Sequence, residues 1–292
     1  VYVLFGHSST VPFNDIDLDF FVTGSQGIMI HGPFSYASVG TVMAFSGDVN
    51  KDGFADILIG MPEYSSQDKQ SCGAVYIVYG RALAIDIDLL DLINQPVVQN
   101  SSEGALILGA NVNDGLGCAV SRAGDINNDM IDDFLIAACY ASPQGRANAG
   151  IFYAIYGNKS MNSTIDMVEW VDGPHGFSLM GPQASTGAQL SVSYLGDFNG
   201  DSIADFAVGV PNADSVSNAF AAAGHSYVLY GSTSPHTSPI DLSTLSLAKG
   251  CVFYGMMANA RCGFSLSGAG DVNGEGITDL LIGCPAAASV GL

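Results

Sequence analysis

The sequence predicts an all-β fold of repeated four-stranded antiparallel sheets, and three observations lead to it. Charged residues make up 12% of the 292 residues, apolar residues make up 48%, and glycine occurs 36 times. An acid-rich stretch, GDVNKDGFADILIG at residues 47–60, occurs four times in related forms. Short runs of β-branched and aromatic residues, bounded by glycine, separate the copies. Such a composition is typical of buried strands joined by many tight turns.

The acid-rich stretch returns with a long and nearly constant period. Its first aspartates, Asp48, Asp125, Asp197 and Asp271, lie 77, 72 and 74 residues apart. Each unit has one apolar strand on either side of this stretch, then an aromatic strand such as VYIVYG, an acidic and aliphatic phrase such as DIDLLDL, and a glycine-closed strand such as GALILG. Four antiparallel strands in about 75 residues describe a β-propeller blade, whose two faces are buried against neighbouring blades.

The phase of the repeat predicts the domain organisation. We expect a single β-propeller, or a segment of one, over residues 1–292, and the chain begins and ends in mid-blade. The halves either join into a closed four-bladed ring or belong to separate blades of a larger ring, and we favour the larger ring. The predicted units are a half blade at 1–32 (third and fourth strands), blades at 33–110, 111–181 and 182–255, and a half blade at 256–292 (first and second strands).

The acid-rich stretches have the spacing of cation-binding loops. Side-chain oxygens fall at positions 1, 3, 5 and 9 of each loop, and a backbone carbonyl at position 7 can add another ligand. Hard oxygen ligands in this number suit Ca²⁺, so the sequence predicts up to four calcium sites. The predicted ligands are Asp48, Asn50, Asp52, Phe54 and Asp56 in loop 1, Asp125, Asn127, Asp129, Ile131 and Asp133 in loop 2, Asp197, Asn199, Asp201, Ile203 and Asp205 in loop 3, and Asp271, Asn273, Glu275, Ile277 and Asp279 in loop 4.

Metal-free turns are the alternative, because Asp, Asn and Gly also form hairpin turns by bonding the local backbone. Four loops with the same placement favour metal, since clustered carboxylates repel one another without a cation. An EF-hand is excluded because position 12 is apolar in every copy. We expect loop 1 to bind most tightly: it keeps Gly53 at the sharp turn, whereas loops 2 and 3 have Met130 and Ser202 there and loop 4 uses the longer Glu275 at position 5.

On these loops and their flanking motifs, the chain resembles the FG-GAP repeats of integrin alpha chains and of bacterial and protist surface proteins, over essentially its full length. The Phe-Gly place reads Val39-Gly40, Leu116-Gly117, Ala188-Gln189 and Cys262-Gly263. The Gly-Ala-Pro place reads GMP at 60–62, AAC at 137–139, GVP at 209–211 and GCP at 283–285. The resemblance implies a β-propeller, commonly of seven blades, with Ca²⁺ in the hairpin loops between first and second strands.

Charge and motifs exclude several functions. The formal net charge of −20 disfavours nucleic acid, which needs Lys and Arg to neutralise phosphates, and no apolar run is long enough for direct membrane insertion. Enzyme activity is not expected, because there is no GxSxG or HExxH motif and the histidines fall at unrelated phases. Six cysteines permit three disulfides; Cys118 and Cys139 face each other across one hairpin, so we hypothesise a disulfide between them.

The expected function is ligand recognition. Loops opposite the acid-rich loops are the default recognition surface, with candidate ligand-binding residues Phe34, Tyr36, Tyr64 and Tyr140 and the polar loops near 111 and 212. The bland alternative is that they are solvated connectors. We expect an extracellular or cell-surface, calcium-binding adhesion module whose partner is an extracellular protein, a glycan or a partner chain of a receptor. The alternatives are an accessory propeller of a secreted hydrolase or lyase and a structural spacer of a large surface protein.

Overall fold

The computed structural model describes residues 1–6, 15–33, 39–66, 68–82, 85–94, 103–161, 163–215 and 220–287. These residues form five sheets, and their only α-helix is six residues long. The first sheet contains β1 (Tyr2–Leu4) and β2 (Gly27–His31). Blade A contains β3 (Val42–Gly47), β4 (Asp56–Met61), β5 (Ala74–Val78), β6 (Ile87–Asp88), α1 (Leu89–Asn94) and β7 (Gly104–Leu108).

The next two blades have the same order of elements. Blade B contains β8 (Leu116–Gly124), β9 (Asp133–Ala138), β10 (Ile151–Ile155), β11 (Thr164–Asp166) and β12 (Gly176–Met180). Blade C contains β13 (Ser191–Gly196), β14 (Asp205–Val210), β15 (His225–Leu229), β16 (Ile240–Asp241) and β17 (Gly250–Tyr254). A last hairpin contains β18 (Ser265–Gly270) and β19 (Asp279–Gly283). Short 3₁₀ turns occur at Leu18–Phe20, Pro143–Gly145, Met167–Glu169 and Leu242–Thr244.

The four predicted strands per unit are antiparallel neighbours, in the order β3-β4-β5-β7, β8-β9-β10-β12 and β13-β14-β15-β17. The predicted all-β propeller fold is therefore confirmed. The first strands of successive units, β3, β8, β13 and β18, pack against one another. The hydrophobic clusters lie between blades: one joins Val75 of blade A to Phe134 of blade B, and another joins Phe152 of blade B to Phe206 of blade C.

An additional outer strand in each of the first three sheets, which is the fifth strand in the sheets of blades A and B, was not predicted. The acidic and aliphatic phrase forms β6, β11 and β16, which pair in parallel with β2, β7 and β12, the outer strands of the preceding sheets. The connection from the third to the fourth strand of each unit thus reaches back to the unit before it. A parallel pairing of two or three residues leaves no local sequence pattern, so the phrase reads as a loop.

Ion pairs at equivalent positions hold the fifth strand of two units in place. Lys69 Nζ lies 2.8 Å from Asp166 Oδ1, and Arg146 forms two hydrogen bonds of 2.9 and 2.8 Å to the carboxylate of Asp241. Each basic side chain belongs to the blade whose outer strand receives the fifth strand. The connections therefore tie neighbouring units together by charge as well as by pairing.

Glycines at the Phe-Gly and Gly-Ala-Pro places explain why those motifs repeat. A Cβ on Gly60 of blade A would collide with the carbonyl oxygen of Gly117 of blade B, and a Cβ on Gly209 would collide with the carbonyl oxygen of Gly263. The two motifs of adjacent units thus meet backbone to backbone. Close packing of blade A against blade B, and of blade C against the last hairpin, requires glycine at this contact.

Each of the two disulfides joins a cysteine near the start of a first strand to a cysteine just after the end of the second strand. The Sγ atoms of Cys118 and Cys139 are bonded, with Cα atoms 6.1 Å apart, as hypothesised from the sequence. Cys262 and Cys284 form a second bridge that was not predicted, although they flank the β18–β19 hairpin in the same way. Cys72 and Cys251 are free thiols.

The two partial sheets at the ends of the described chain, β1-β2-β6 and β18-β19, are not hydrogen-bonded to each other within the described residues. The blade number of the intact ring stays a prediction. No helix among the described residues has the length and apolar character needed to cross a bilayer.

Candidate metal centre

The acid-rich loops are the turns of the four hairpins that join each first strand to its second strand. A β-bulge precedes every loop, at Gly47, Gly124, Gly196 and Gly270. These glycines have φ values of 87°, 71°, 92° and 67°, a region that disfavours residues with a Cβ. The bulge turns the following aspartate into its loop, which explains the repeated Gly-Asp pair.

Loop 1 wraps its backbone around its first three polar side chains. The carboxylate of Asp48 accepts hydrogen bonds of 2.9 Å from the N–H groups of Asp52 and Gly53. Asn50 Oδ1 accepts from the Asp52 N–H at 3.0 Å, and its Nδ2 donates to Asp52 Oδ2 at 2.8 Å. Asp52 Oδ1 accepts from the Phe54 N–H at 2.9 Å. The oxygens of positions 1, 3 and 5 are therefore drawn together at one point of the turn.

The other loops repeat this pattern with local differences. The first aspartate accepts the N–H groups of positions 5 and 6 in loop 2, loop 3 and loop 4. In loops 3 and 4 it also accepts the N–H of a glycine at position 4, Gly200 or Gly274, at 2.7 Å. At position 6, Met130 and Ser202 have φ values of 67° and 71° where Gly53 has 92°. Loops 2 and 3 thus hold a side chain in the left-handed region.

The position-9 aspartates have different surroundings. Asp56 is fully buried, its Oδ2 accepts the Val49 N–H at 2.8 Å, and its Oδ1 accepts the Gly80 N–H at 2.8 Å. Asp133 and Asp205 make the equivalent pairs of bonds, to Ile126 and Gly157 and to Phe198 and Gly231. The glycine that closes each aromatic strand is therefore the partner of this aspartate, a role that sequence reasoning missed. Asp279 of loop 4 accepts the Val272 N–H at 2.8 Å.

Burial changes the acidity of these aspartates. Loss of solvent raises the pKa of Asp56 to about 6, that of Asp133 to about 8 and that of Asp205 to about 6, and nearby loop carboxylates add to the effect. The backbone N–H bonds oppose this rise because they favour the charged form. A divalent cation beside the loop would favour the charged form further.

The oxygen ligands of the loops suit calcium chemically, but the position-9 aspartates, which were predicted as ligands, are already hydrogen-bonded to the backbone. Loop 1 offers the hard oxygens of Asp48, Asn50 and Asp52 together with the Phe54 carbonyl. Within the described residues, no three Asp, Glu, His or Cys side chains converge closely enough to hold an ion by themselves. Asp56 would join the ligands only through lone pairs beyond its two hydrogen bonds, and a carboxylate has about four such sites. Calcium at these ligands stays a prediction.

Hydrogen bonds connect each loop with the next. Asp132, at position 8 of loop 2, accepts the Asp48 N–H at 2.9 Å through its carboxylate. The position-8 N–H groups of Asp132, Ala204 and Thr278 donate to the first carbonyl of the preceding loop at 3.3–3.4 Å. The acid-rich loops therefore form one continuous row on one face of the blades.

Apolar residues occupy positions 2 and 7 of all four loops, where they can fix each loop to its blade. Val49 and Ile126 at position 2 are buried, whereas Val272 of loop 4 is 74% exposed. At position 7, Phe54 is 42% exposed. Position 2 rather than position 7 anchors loops 1 and 2.

The structure leaves fewer candidate residues on the predicted recognition surface. Tyr64 is only 8% exposed and packs with Cys72 and Tyr76, so it belongs to the core and not to a ligand surface. Tyr140 is 50% exposed, as a contact residue should be. Phe34 and Tyr36 lie outside the described residues. The loops near 111 and 212 are tied to their surroundings, since Asn111 bonds to Asp114 at 3.0 Å and Asn212 donates to the Ala188 carbonyl at 2.7 Å.

Blades of this topology, with acid-rich loops in every first hairpin, define a β-propeller repeat protein. The repeat is of the FG-GAP type: the FG-GAP repeat model matches residues 39–78 and 191–229, so the resemblance seen in the sequence is confirmed. Matched residues cover blade A from its Phe-Gly place to β5 and blade C from β13 to β15.

Several larger proteins are similar to this chain. Phosphatidylinositol-glycan-specific phospholipase D of Bos taurus is 33% identical over 186 residues, which is 62% of this chain and 19% of that protein. Integrin alpha-PS2 of Drosophila melanogaster is 24% identical over 284 residues, 95% of this chain and 17% of that protein. Integrin alpha-PS3 of the same organism is 24% identical over 173 residues, 58% of this chain and 13% of that protein. The chain thus spans about a fifth or less of these relatives.

Proposed function

We propose that this chain is a calcium-stabilised recognition module of an extracellular or cell-surface protein, and that it performs no reaction itself. Its ligand would be an extracellular protein, a glycan or a partner chain. The observation that carries the proposal is the row of four acid-rich loops, each drawing two carboxyl-bearing side chains and an amide oxygen together at one turn. Similarity to integrin alpha chains supports a role in adhesion.

Electrostatics gives the reason for calcium. The chain has 28 acidic against 8 basic residues, and the loops place acidic groups of neighbouring units in one hydrogen-bonded row. Without a cation these groups repel one another across short distances. An ion that binds the folded form alone stabilises it by about 2.7 kcal/mol when present at 100 times its Kd.

Thermal unfolding with and without calcium tests the proposal. We expect the melting temperature to rise by several degrees from EDTA to millimolar Ca²⁺, and calorimetric titration to show binding at more than one site. The double variant Asp48→Asn, Asp52→Asn removes two charges from loop 1 and should remove part of this rise. Asp68→Asn, an exposed carboxylate outside the loops, is the matched control and should keep all of it.

A melting temperature that is the same in EDTA and in calcium would refute the calcium part of the proposal. Recognition is tested separately, by probing immobilised extracellular proteins and glycans with and without chelator. If nothing binds either with or without chelator, the proposed recognition role is wrong and a structural spacer is favoured.

The second candidate is an accessory propeller of a secreted hydrolase, and the similarity to phosphatidylinositol-glycan-specific phospholipase D favours it. In that case the chain would position a substrate for a catalytic domain. The complete gene decides: a catalytic domain beside these blades supports the hydrolase, whereas a membrane anchor and stalk domains support adhesion.

A further inference from the structure

A cavity of about 360 Å³ lies at the seam between blades A and B, and Asn158 in its lining donates its backbone N–H to the Val49 carbonyl of loop 1 at 2.9 Å. Its walls come from the end of β10, from β11 and from the segment that leads to β12. Since β11 belongs to the sheet of blade A while β10 and β12 belong to blade B, the connection between them bridges the seam and lines the cavity, with exposed residues at its rim. This volume is in the range of small-molecule sites, about 300–1,000 Å³.

One wall of the cavity is aromatic and rigid. Trp170 and Tyr156 line it. The indole of Trp170 is fixed on two sides: its Nε1 donates to Asp172 Oδ1 at 2.9 Å, and its ring meets that of Tyr153 edge to face, with centroids 5.9 Å apart. Asp172 is itself held by the N–H and hydroxyl of Ser178, at 2.9 and 3.2 Å. The indole is therefore prepositioned before any ligand arrives.

The remaining walls carry polar groups that the protein does not use. Ser160, Thr164, Glu169 and His175 line the cavity, and within the described part of the chain their side chains form no hydrogen bond. Asp166 also lines it, but Lys69 Nζ neutralises that carboxylate at 2.8 Å. Hydroxyl, imidazole and carboxylate groups together can both donate and accept hydrogen bonds.

We propose that this cavity binds a neutral saccharide ring. A sugar has an apolar face that can stack on the fixed indole and a rim of hydroxyls that can pair with the unused polar groups. A purely apolar ligand would leave those polar groups buried without partners, at a cost of about 1–3 kcal/mol each. A cationic ligand would find the Asp166 charge already neutralised by Lys69. None of the predicted calcium ligands lines the cavity, so saccharide binding can be tested with and without calcium.

The neighbouring seam supplies an internal control. A cavity of about 400 Å³ lies at the corresponding place beside blade C. It is lined by Tyr230, Ser232, His236 and Lys249, with no tryptophan, and also by Asn199 and Asp201 of loop 3. Lys249 is exposed there, where His175 stands at the first seam. A substitution in this second cavity should change nothing in the first.

Intrinsic fluorescence gives a direct test, because Trp170 is the single tryptophan of the chain. Methyl glycosides of glucose, galactose, mannose and N-acetylglucosamine are titrated against the intact protein, with and without calcium. At least one should shift or quench the emission with saturation, at a Kd of about 1 mM, equivalent to about −4.1 kcal/mol. The shift should persist in EDTA as long as the protein remains folded.

Variants then locate the binding. Glu169→Gln and His175→Ala should each weaken the Kd about three- to tenfold, and Lys249→Ala should leave it unchanged. Trp170→Ala, followed by calorimetry since its fluorescence is lost, should abolish binding, with unfolding curves showing that the variant is folded. Both exposed rim variants leave the core intact, so they remain informative if Trp170→Ala fails to fold.

Two results would overturn the proposal. One is that no glycoside changes the emission up to about fifty times that Kd, while acrylamide quenches Trp170 and so shows that the indole is accessible. The other is that tetramethylammonium saturates the signal, the glycosides do not, and Glu169→Gln weakens it, which would make the cavity a cation site.

Discussion

The aspartates at position 9 of the acid-rich loops and those at positions 1 and 5 are the same residue type in the same short turn, yet their surroundings differ. Asp133 is fully buried, and its two oxygens take backbone N–H groups from the start of its own loop and from the end of β10. Asp129 is exposed at the tip of the turn, where it pairs with Asn127. Position 9 thus holds the blade together, whereas positions 1, 3 and 5 present oxygens to solvent or to an ion.

The largest expected effect comes from separating these two roles in loop 2. In EDTA, Asp133→Ala should lower the free energy of unfolding by about 2–4 kcal/mol, because two buried N–H groups lose their acceptor. Asp129→Ala should change it by no more than about 0.5 kcal/mol under the same conditions. Urea unfolding of both variants measures the difference.

Excess calcium should then affect the two variants differently. Asp129→Ala should lose part of the calcium stabilisation, whereas Asp133→Ala should remain the weaker protein in either condition. Equal losses in EDTA would mean that position 9 has no special structural role among the loop aspartates.

Sequence reasoning identified the repeat and the polar positions of the loops, because both depend on side-chain order along one hairpin. It could not divide the aspartates into two groups. The partner that makes Asp56 structural is Gly80, 24 residues away and just after the third strand, and a backbone N–H leaves no residue-type signal. The recurrence of glycine after each aromatic strand was visible, but its meaning depends on a contact across the sheet.

The fifth strands and the burial of Tyr64 also depend on contacts between residues that are far apart in sequence. The parallel pairing of β11 with β7 joins Thr164 to Leu106, which a local pattern cannot reveal. Tyr64 follows the second strand directly, so sequence placed it in an exposed connection, whereas the chain turns it inward against Cys72. Hairpin geometry was predictable because it is local, and inter-blade packing was not.

A smaller effect, on calcium affinity, should distinguish loop 1 from loop 2. Met130 has φ 67° where Gly53 has φ 92°, and a side chain in this region costs about 1–2 kcal/mol. If calcium must hold the turn in this conformation, Met130→Gly should tighten loop 2 about fivefold. The reciprocal change, Gly53→Met, should weaken loop 1 by a similar factor.

Each exchange is measured by calcium titration calorimetry in a protein whose other three loops carry Asp→Asn at position 1. A tighter loop 2 with an unchanged loop 1 would show that the turn in loop 1 is held by other contacts. If neither substitution changes the calcium affinity of its loop, backbone strain is not the basis of the expected ranking of the loops.

The smallest expected effect is the dependence of stability on acid that comes from His225. It must be distinguished from titration of the loop carboxylates. His225 is buried in blade C, its Nδ1 lies 3.0 Å from the Tyr227 hydroxyl, and the ring of Tyr254 packs edge to face against it at 4.8 Å. Burial lowers the pKa of His225, while the nearby Asp214 opposes the shift. The unfolded chain therefore binds a proton at His225 more readily, and the contribution of His225 to stability should fall as pH drops below about 6.5, the usual histidine value. The raised pKa values of Asp56, Asp133 and Asp205 act in the opposite direction.

His225→Asn keeps an oxygen near the Tyr227 hydroxyl and cannot take up this proton, so acid should destabilise this variant less than the wild-type protein between about pH 5 and 7. His31→Asn, at an exposed histidine whose Nε2 lies 4.0 Å from Asp86, is the control substitution. Because the loops are distant from His225 in sequence and belong to a different part of the blade, excess calcium should not restore the lost acid stability. If calcium does restore it in the wild-type protein, the acid response belongs to the loop carboxylates, and the division between buried and exposed aspartates must be redrawn.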